Sequence, residues 1–401
     1  LNMLKAWGDV EILSEDLLFD DLHIKTSNPT DARIFNIIFR KPNIKQGQFV
    51  SDLKFKGHLS NPKVLGKFHI TETNIPFFDT VMKNIEFEFN DKTVELVSKG
   101  EVMGNDVAFE GVMKNKLTQP YHFERGYFYT KDLDLNRIVN NLKIAEIESI
   151  SNFESLEAFS LKSLIFNDLK IKADNIRLRN LNATNFDAQS SLNSAGLINV
   201  QKFKFNVADG NLDGNYQYNI NTEDMRINFL AESINANDLA TALFDLDNQI
   251  YGDLTGKVDL TCNGEDFNKC MQTLSGVTMF NVKDGRMPKL GSLEYLLKAG
   301  NLVKGGITGL SINSVIDLIS PLKTGEFSNI FGSVNIKDGL ARNIEITTQG
   351  EDLSLFIGGT YNFANSFNLS SNSFLILSIP LFKFSSLTTY WYAPDSRPAY
   401  S

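Results

Sequence analysis

The stretch Ser275-Gly276-Val277-Thr278-Met279-Phe280-Asn281-Val282-Lys283-Asp284-Gly285 decides how the chain is read. It returns about 56 residues later as Phe331-Gly332-Ser333-Val334-Asn335-Ile336-Lys337-Asp338-Gly339. Each copy is a glycine, a short run of roughly alternating apolar residues, and then Lys-Asp-Gly. Asp-Gly after such a run predicts a hairpin, because both residues tolerate the positive φ of a tight turn. Shorter relatives recur: Ala208-Asp209-Gly210 follows Phe203, Phe205 and Val207, and Gly252-Asp253-Leu254-Thr255-Gly256 precedes Val258 and Leu260. Asp209, Gly210, Asp284, Gly285, Asp338 and Gly339 are therefore expected to be structural turn residues. A chain that repeats hairpins like this builds a long β surface.

The same rhythm runs outward. Leu53 and Phe55 alternate with Lys54 and Lys56, and Ile85, Phe87 and Phe89 with Glu86 and Glu88; Val94, Leu96, Val107 and Phe109 continue the pattern. Period-two alternation gives a sheet one apolar face and one wet face. From Asp134 to Ile150 the apolar residues fall at helical spacing instead, with Asp132 or Asp134 able to cap. Short helices are also expected at Leu239–Phe244 (capped by Asn237), Phe267–Leu274, Leu290–Val303 and Asn313–Lys323. The expected organisation is a β-rich segment over 1–130, a helical insertion over 131–160, a β-rich region with short helices over 161–388, and an irregular aromatic tail over 389–401.

Composition narrows the function. Hydrophobic residues make up 42% of the 401, an ordinary share, so apolar residues matter through their placement. There are 31 Phe against 11 Tyr and 2 Trp, a set of large side chains with few polar handles. A formal charge of -9, with no Lys/Arg cluster interleaved with aromatics, argues against nucleic acid and against a basic patch for anionic headgroups. No run of about 20 apolar residues is present to span a membrane as a helix. The chain opens at Leu1-Asn2-Met3 as if cut from something longer, so an upstream signal or anchor is neither shown nor excluded. Cys262 and Cys270 can close a small disulfide loop in an oxidising compartment or stand as two thiols beside a short helix; the spacing leaves both open.

Catalytic motifs are missing. His23, His58, His69 and His122 share no metal-ligand spacing, and His58 and His69 read as solvent-facing or hydrogen-bonded strand residues. Lys304-Gly305-Gly306-Ile307-Thr308-Gly309 lacks the Gly-Lys-Ser/Thr ending of a phosphate loop and reads as a plain connection. There is no Gly-x-Ser-x-Gly elbow. The acids sit mostly at turns, where Asp has a geometric role. No enzyme activity, metal or cofactor is expected.

The order of turn glycines and aspartates from about Ala173 to Leu369 resembles the C-terminal region of the AsmA-like envelope proteins of Gram-negative bacteria, a group that includes the TamB and YhdP branches. The stretches that carry it are Ala208–Gly214, Ile234–Leu239, Gly252–Leu260, Leu274–Gly285 and Phe331–Gly339; Gly57–Phe68 is similar to the strand-turn repeats of the same group. The resemblance implies a mainly β fold with a few short helices: a long, strongly curved antiparallel sheet forming an elongated groove, apolar inside. It further implies a periplasmic protein, anchored to the inner membrane through a segment outside this chain. Such a protein carries phospholipid or another acyl lipid between inner and outer membranes, with other envelope proteins as partners.

The physics fits that expectation. Exposing acyl tails to water costs about 0.8 kcal/mol per CH₂, on the order of 12 kcal/mol for a 16-carbon chain, and an apolar channel avoids most of it. By alternation, the candidate lining residues are Phe203, Phe205, Tyr216, Tyr218, Ile227, Phe229, Val334, Ile336, Leu355 and Ile357. The alternative is a scaffold or assembly factor for outer-membrane biogenesis, with a closed β core and no conduit. A third reading, a carbohydrate-active β-solenoid, would need carboxylates converging in one cleft.

Overall fold

Period-two alternation becomes strand pairing along most of the described residues. The structure, a computed structural model, describes residues 4–12, 17–34, 44, 46–75, 80–116, 119–137, 163–178, 180–244, 248, 250–264, 267–286, 326–349, 354–362 and 374–378. The chain packs as two units: Leu1–Phe205 with Gln217–Asn221, and Asn206–Tyr216 with Thr222–Ser401. The division falls near residue 206, and the 131–160 stretch lies inside the first unit.

The first unit carries β1 (Leu4–Ile12), β2 (Leu17–Thr26), β3 (Thr30–Asp31), β4 (Gln46–His58), β5 (Lys63–Ile75), β6 (Thr80–Phe89), β7 (Thr93–Val102), β8 (Asn105–Lys114), β9 (Tyr121–Asp134), β10 (Leu164–Leu178), β11 (Leu181–Leu192) and β12 (Leu197–Val207). β1 pairs β2, β2 and β3 pair β4, and from β4 to β9 each strand pairs the next, all antiparallel. β9 and β10 break the rule: they run parallel, with Phe123 beside Phe166 and Phe128 beside Ile171. The sheet is therefore mixed, where an antiparallel one was expected. The cause is the connection from residue 135 to 163, long enough for the crossover that a parallel pair requires. That connection begins as foreseen, since Asp134 Oδ1 accepts hydrogen bonds from the Asn136 and Arg137 N–H groups at 3.0 and 3.4 Å and caps a helical turn. The rest of the expected helix lies outside the described residues.

The second unit shares β13 (Gly210–Asn219) with the first and then carries β14 (Asp224–Asn235), α1 (Ala236–Phe244), β15 (Tyr251–Asn263), α2 (Phe267–Thr273), β16 (Ser275–Arg286), β17 (Glu326–Lys337), β18 (Leu340–Gln349), β19 (Ser354–Asn362) and β20 (Phe374–Ser378). From β14 to β20 each strand pairs antiparallel with its successor. The cap of α1 is Asn235, two residues before the expected Asn237: its Oδ1 accepts from the Asn237 and Asp238 N–H groups at 3.0 and 3.3 Å. Asn237 instead accepts the Asn248 N–H at 2.9 Å. The expected helices at Leu290–Val303 and Asn313–Lys323, the Lys304–Gly309 loop and the tail from 389 lie outside the described residues.

The Asp-Gly repeats resolve into different devices. Asp338 and Gly339, at φ 51° and 71°, form the two-residue turn between β17 and β18. Between β12 and β13 the positive-φ pair is Ala208 and Asp209, at 44° and 64°, so Gly210 begins the next strand and is not a turn residue. Asp284-Gly285 is no turn at all. β16 continues through it to Arg286, and the two residues together oppose Gly252 of β15, which makes a bulge with Asp284 at φ 48°. Gly285 is needed there for space, because a Cβ would lie 2.3 Å from the Phe327 ring.

Candidate functional site

Residues directly opposite in paired strands share a face, so the registers can be followed from strand to strand. In the second unit one row runs Ile227, Leu260, Gly276, Ile336. The next runs Phe229, Val258, Thr278, Val334, Ile344. A third runs Ala231, Gly256, Phe280, Gly332, Ile346, Ile357, Leu375, and a fourth Ile234, Leu254, Val282, Ile330, Thr348, Leu355, Leu377. No charged residue falls in any of these rows. The intervening positions carry Asn228, Asp259, Val277, Asn335 and Asn343 in one row, Leu230, Lys257, Met279, Ser333 and Glu345 in the next, and Thr255, Asn281, Phe331 and Thr347 in the third. One face carries no charged residue along these rows, and the other mixes charged and polar residues with exposed Leu230, Val277, Met279 and Phe331.

The two margins of this apolar face are covered. At one end α2 brings Leu274 and Cys270 over Cys262, Ile336 and Ala341, with Leu260 and Val334 packed against the cluster. Cys262 and Cys270 are joined by a disulfide, with their Cα atoms 5.1 Å apart. At the other end Ala236 of α1 packs with Val282 and Ile330, flanked by Ile250, Leu254 and Phe327. In the two middle rows Phe229 and Val258 are half-buried, as are Val334, packed against the first cluster, and Phe280, packed against the second. The middle two rows thus form a band about 7 Å between centre lines, the span of two residues along a strand. The two rows run side by side from β14 to β18, four inter-strand steps, about 19 Å at roughly 4.8 Å per step.

The first unit repeats the plan. One row runs Phe49, Ile70, Ile85, Ser98, Phe109, Phe128, Ile171, Ala188, and another Ser51, Phe68, Phe87, Leu96, Gly111, Gly126, Leu169, Ser190. Phenylalanine rings touch along them, Phe49 to Phe68 at 5.9 Å and Phe68 to Phe87 at 6.1 Å, and Phe123 stacks on Phe166 at 4.6 Å in a further row with Met113 and Leu192. Val94, Met113 and Phe123 are buried, whereas Phe68, Phe87, Phe109 and Phe128 are half-buried.

The opposite face is held by exposed ion pairs. Lys67 reaches Glu88 at 3.0 Å and Lys172 reaches Asp187 at 3.3 Å, each between neighbouring strands, and Arg226 reaches Asp259 at 3.4 Å. Such pairs are worth little in stability, but they keep this side wet. The shifted titrations all belong to exposed polar groups. The Lys54 ammonium holds Asp21 below the usual carboxylate range, Lys63 does so for Asp91, and the Thr222 and Asn263 side chains for Asp224. The histidines are also partnered or stacked: His69 Nε2 meets Asn84 Oδ1, His122 Nε2 lies 3.1 Å from Asn167 Oδ1, and His23 stacks on Trp7 at 5.0 Å. Among the described residues no group of three or more His, Cys, Asp or Glu is placed to hold a metal ion. No described helix is long and apolar enough to cross a membrane.

The structure brings most of the candidate residues together within each unit. Ile227 and Ile336 share the first row of the second unit, Phe229 and Val334 share the second, and Ile357 and Leu355 stand in the third and fourth by register. Phe203 is buried and stacks on Phe205 at 6.2 Å; Phe205 in turn lies 6.2 Å from Phe186, whose cross-strand partner is the buried Ala173. Tyr216 and Tyr218 are half-buried on β13. The list of candidate lining residues left out Val258, Leu260, Phe280 and, in the first unit, Phe68, Phe87, Phe109 and Phe128. Their parity with Phe229 or with Phe49 was the signal that could have found them, once a register was known.

No curated protein and no solved structure gives a significant match to the chain. The sequence model of the AsmA family does match, over residues 133–346, more than half of the chain and including α1, α2 and the strands from β10 to β17. The chain belongs to the AsmA family.

Proposed function

We propose that this chain carries acyl lipid, without enzymatic chemistry, along the apolar faces of its sheets, as a periplasmic protein moving phospholipid between the inner and outer membranes. The observation that carries this reading is the half-covered band in the second unit. Its rows are continuous over several strands and free of charge, and its margins are sealed while its middle is not. A core built only for stability would bury Phe229, Val258 and Phe280 as fully as Val282 at 2% exposure. A lipid tail laid along the band would complete that burial, at about 25 cal/mol per Å² of apolar surface removed from water. Membership of the AsmA family supports the same class of function.

The test is photo-crosslinking in cells with benzoylphenylalanine placed at Phe229 or Val334, and at Asn228 or Asn335 on the opposite face. Lipid adducts at the first pair only are the expected result. Equal labelling at both pairs, or adducts to protein alone at Phe229 and Val334, would overturn the lipid reading in favour of a scaffold.

A further inference from the structure

The glycines of these sheets fall into two groups. Gly66 and Gly276, at φ 114° and 139°, adopt backbone conformations that other residues resist, and a Cβ there would lie 2.0 and 2.1 Å from a carbonyl oxygen of the neighbouring strand. Gly332, Gly256, Gly111 and Gly126 have no such backbone demand. They stand on the apolar faces, and at Gly332 and Gly111 what they spare is room for a ring. A Cβ at Gly332 would meet the Phe280 ring at 2.2 Å, so that ring lies down across the glycine. A Cβ at Gly111 would meet the Phe109 ring at 2.8 Å, and one at Gly126 would meet the same ring at 3.3 Å.

Phe280 has a further peculiarity. It stands between two glycines in one row, Gly256 on β15 and Gly332 on β17. On the Gly256 side no ring lies against the backbone: a Cβ there would make only ordinary contacts, with the Met279 carbonyl oxygen at 3.5 Å and the Phe280 Cβ at 3.9 Å. The ring therefore has one occupied resting place and one vacant one, separated by a change of χ1 well.

We propose that Gly256 and Gly332 are the two resting places of Phe280 and thereby set the height of the band. With either glycine available, the ring lies flat and an acyl chain can pass over it. With neither, the ring stands up between the two middle rows and blocks them. The proposal rests on the lipid-carrying reading above. It identifies Phe280 as the residue that sets the clearance for that lipid, and the glycines as positioning residues that act through it.

The two single variants and the pair therefore differ in kind. Gly332→Ala should send the ring over Gly256, and Gly256→Ala should leave it where it is, so each alone keeps lipid loading within about twofold of wild type. Gly256→Ala combined with Gly332→Ala should lower loading at least about fivefold. Adding Phe280→Ala to that pair should restore it. Loading is read on the purified full chain as NBD-acyl phosphatidylethanolamine that comigrates with the protein in native gels. The lipid is supplied from vesicles of phosphatidylethanolamine and phosphatidylglycerol, and thermal melts run alongside.

Loading that falls in the pair and returns in the triple variant supports the proposal. Loading that is unchanged in the folded pair, or equally lost in each single variant, refutes it while leaving the lipid reading intact. If wild type and Phe280→Ala both take up no lipid, the lipid reading itself fails. Should the pair not fold, the triple variant decides: loading below wild type in a folded triple variant refutes a role acting through the ring.

Discussion

Removing the Cys262–Cys270 bridge is the perturbation whose size follows most directly from the structure. The two cysteines are 8 residues apart, 7% and 8% exposed, and sit in the cluster that seals one margin of the apolar band. In the chain-entropy account, a loop of about nine residues contributes about 2.5 kcal/mol by restricting the unfolded chain. For a unit of this size that is a fall of about 5–10 °C in its melting midpoint. The effect is also local. α2 is tied to the β17–β18 turn through the Gly339 N–H, which donates to the Leu274 carbonyl at 2.8 Å, and the Asp338 N–H, which donates to Ser275 Oγ at 3.0 Å. Cys262→Ala with Cys270→Ala should therefore loosen this corner before the rest of the sheet. Two assays read it: chemical denaturation of the double variant against wild type, with and without reductant, and amide hydrogen exchange at Gly339. The expected outcome is a loss of about 2–3 kcal/mol, reproduced by reducing the wild type, with Gly339 exchanging faster and the β4–β8 amides unchanged. A loss below about 1 kcal/mol, or unaltered exchange at Gly339, would refute the view that the bridge fastens α2 over the margin.

Two further outcomes follow from backbone and charge. Gly276→Ala forces a Cβ to within 2.1 Å of the Asp259 carbonyl at a φ of 139°, so it should cost more than about 2 kcal/mol in denaturant unfolding, whereas Gly256→Ala, whose Cβ meets nothing nearer than the Met279 carbonyl oxygen at 3.5 Å, should cost under about 1 kcal/mol. Asp31 is held down to about 2 by the Arg33 guanidinium and backbone N–H. Its folded value lies below its ordinary one, so any stability it lends is present above the ordinary carboxylate range and is lost as pH falls toward 2. Arg33→Ala should return its titration, followed by carboxyl NMR, toward 3.8.

Alternation along a strand needs only the local order of residues, and that is why so much of the β character could be read from Leu53–Phe55, Ile85–Phe89 or Phe229. Whether Ile227, Phe229, Val334 and Ile336 lie on one face is a different matter, because a single bulge inverts the phase of everything beyond it. Such shifts occur between Ala231 and Ile234, and in β16 where Asp284 is the extra residue opposite β15. The two copies of Lys-Asp-Gly show the limit most plainly. After Gly339 the chain reverses, and after Gly285 it continues, because the ring of Phe327 from the next strand fills the space that Gly285 leaves. That ring lies over 40 residues away, and no local propensity encodes it. The parallel joint of β9 with β10 was hidden for the same reason.

By itself the sequence determined the mainly β character, the local alternation within many strands, the place of α2 and the positive-φ turn at Asp338-Gly339, since each is settled by side-chain period or by φ tolerance within a few residues. Only the tertiary structure decided which rows line up into a band, which margins the helices cover, and that Phe280 lies down across Gly332. Those depend on register between strands, and register is fixed by long-range pairing.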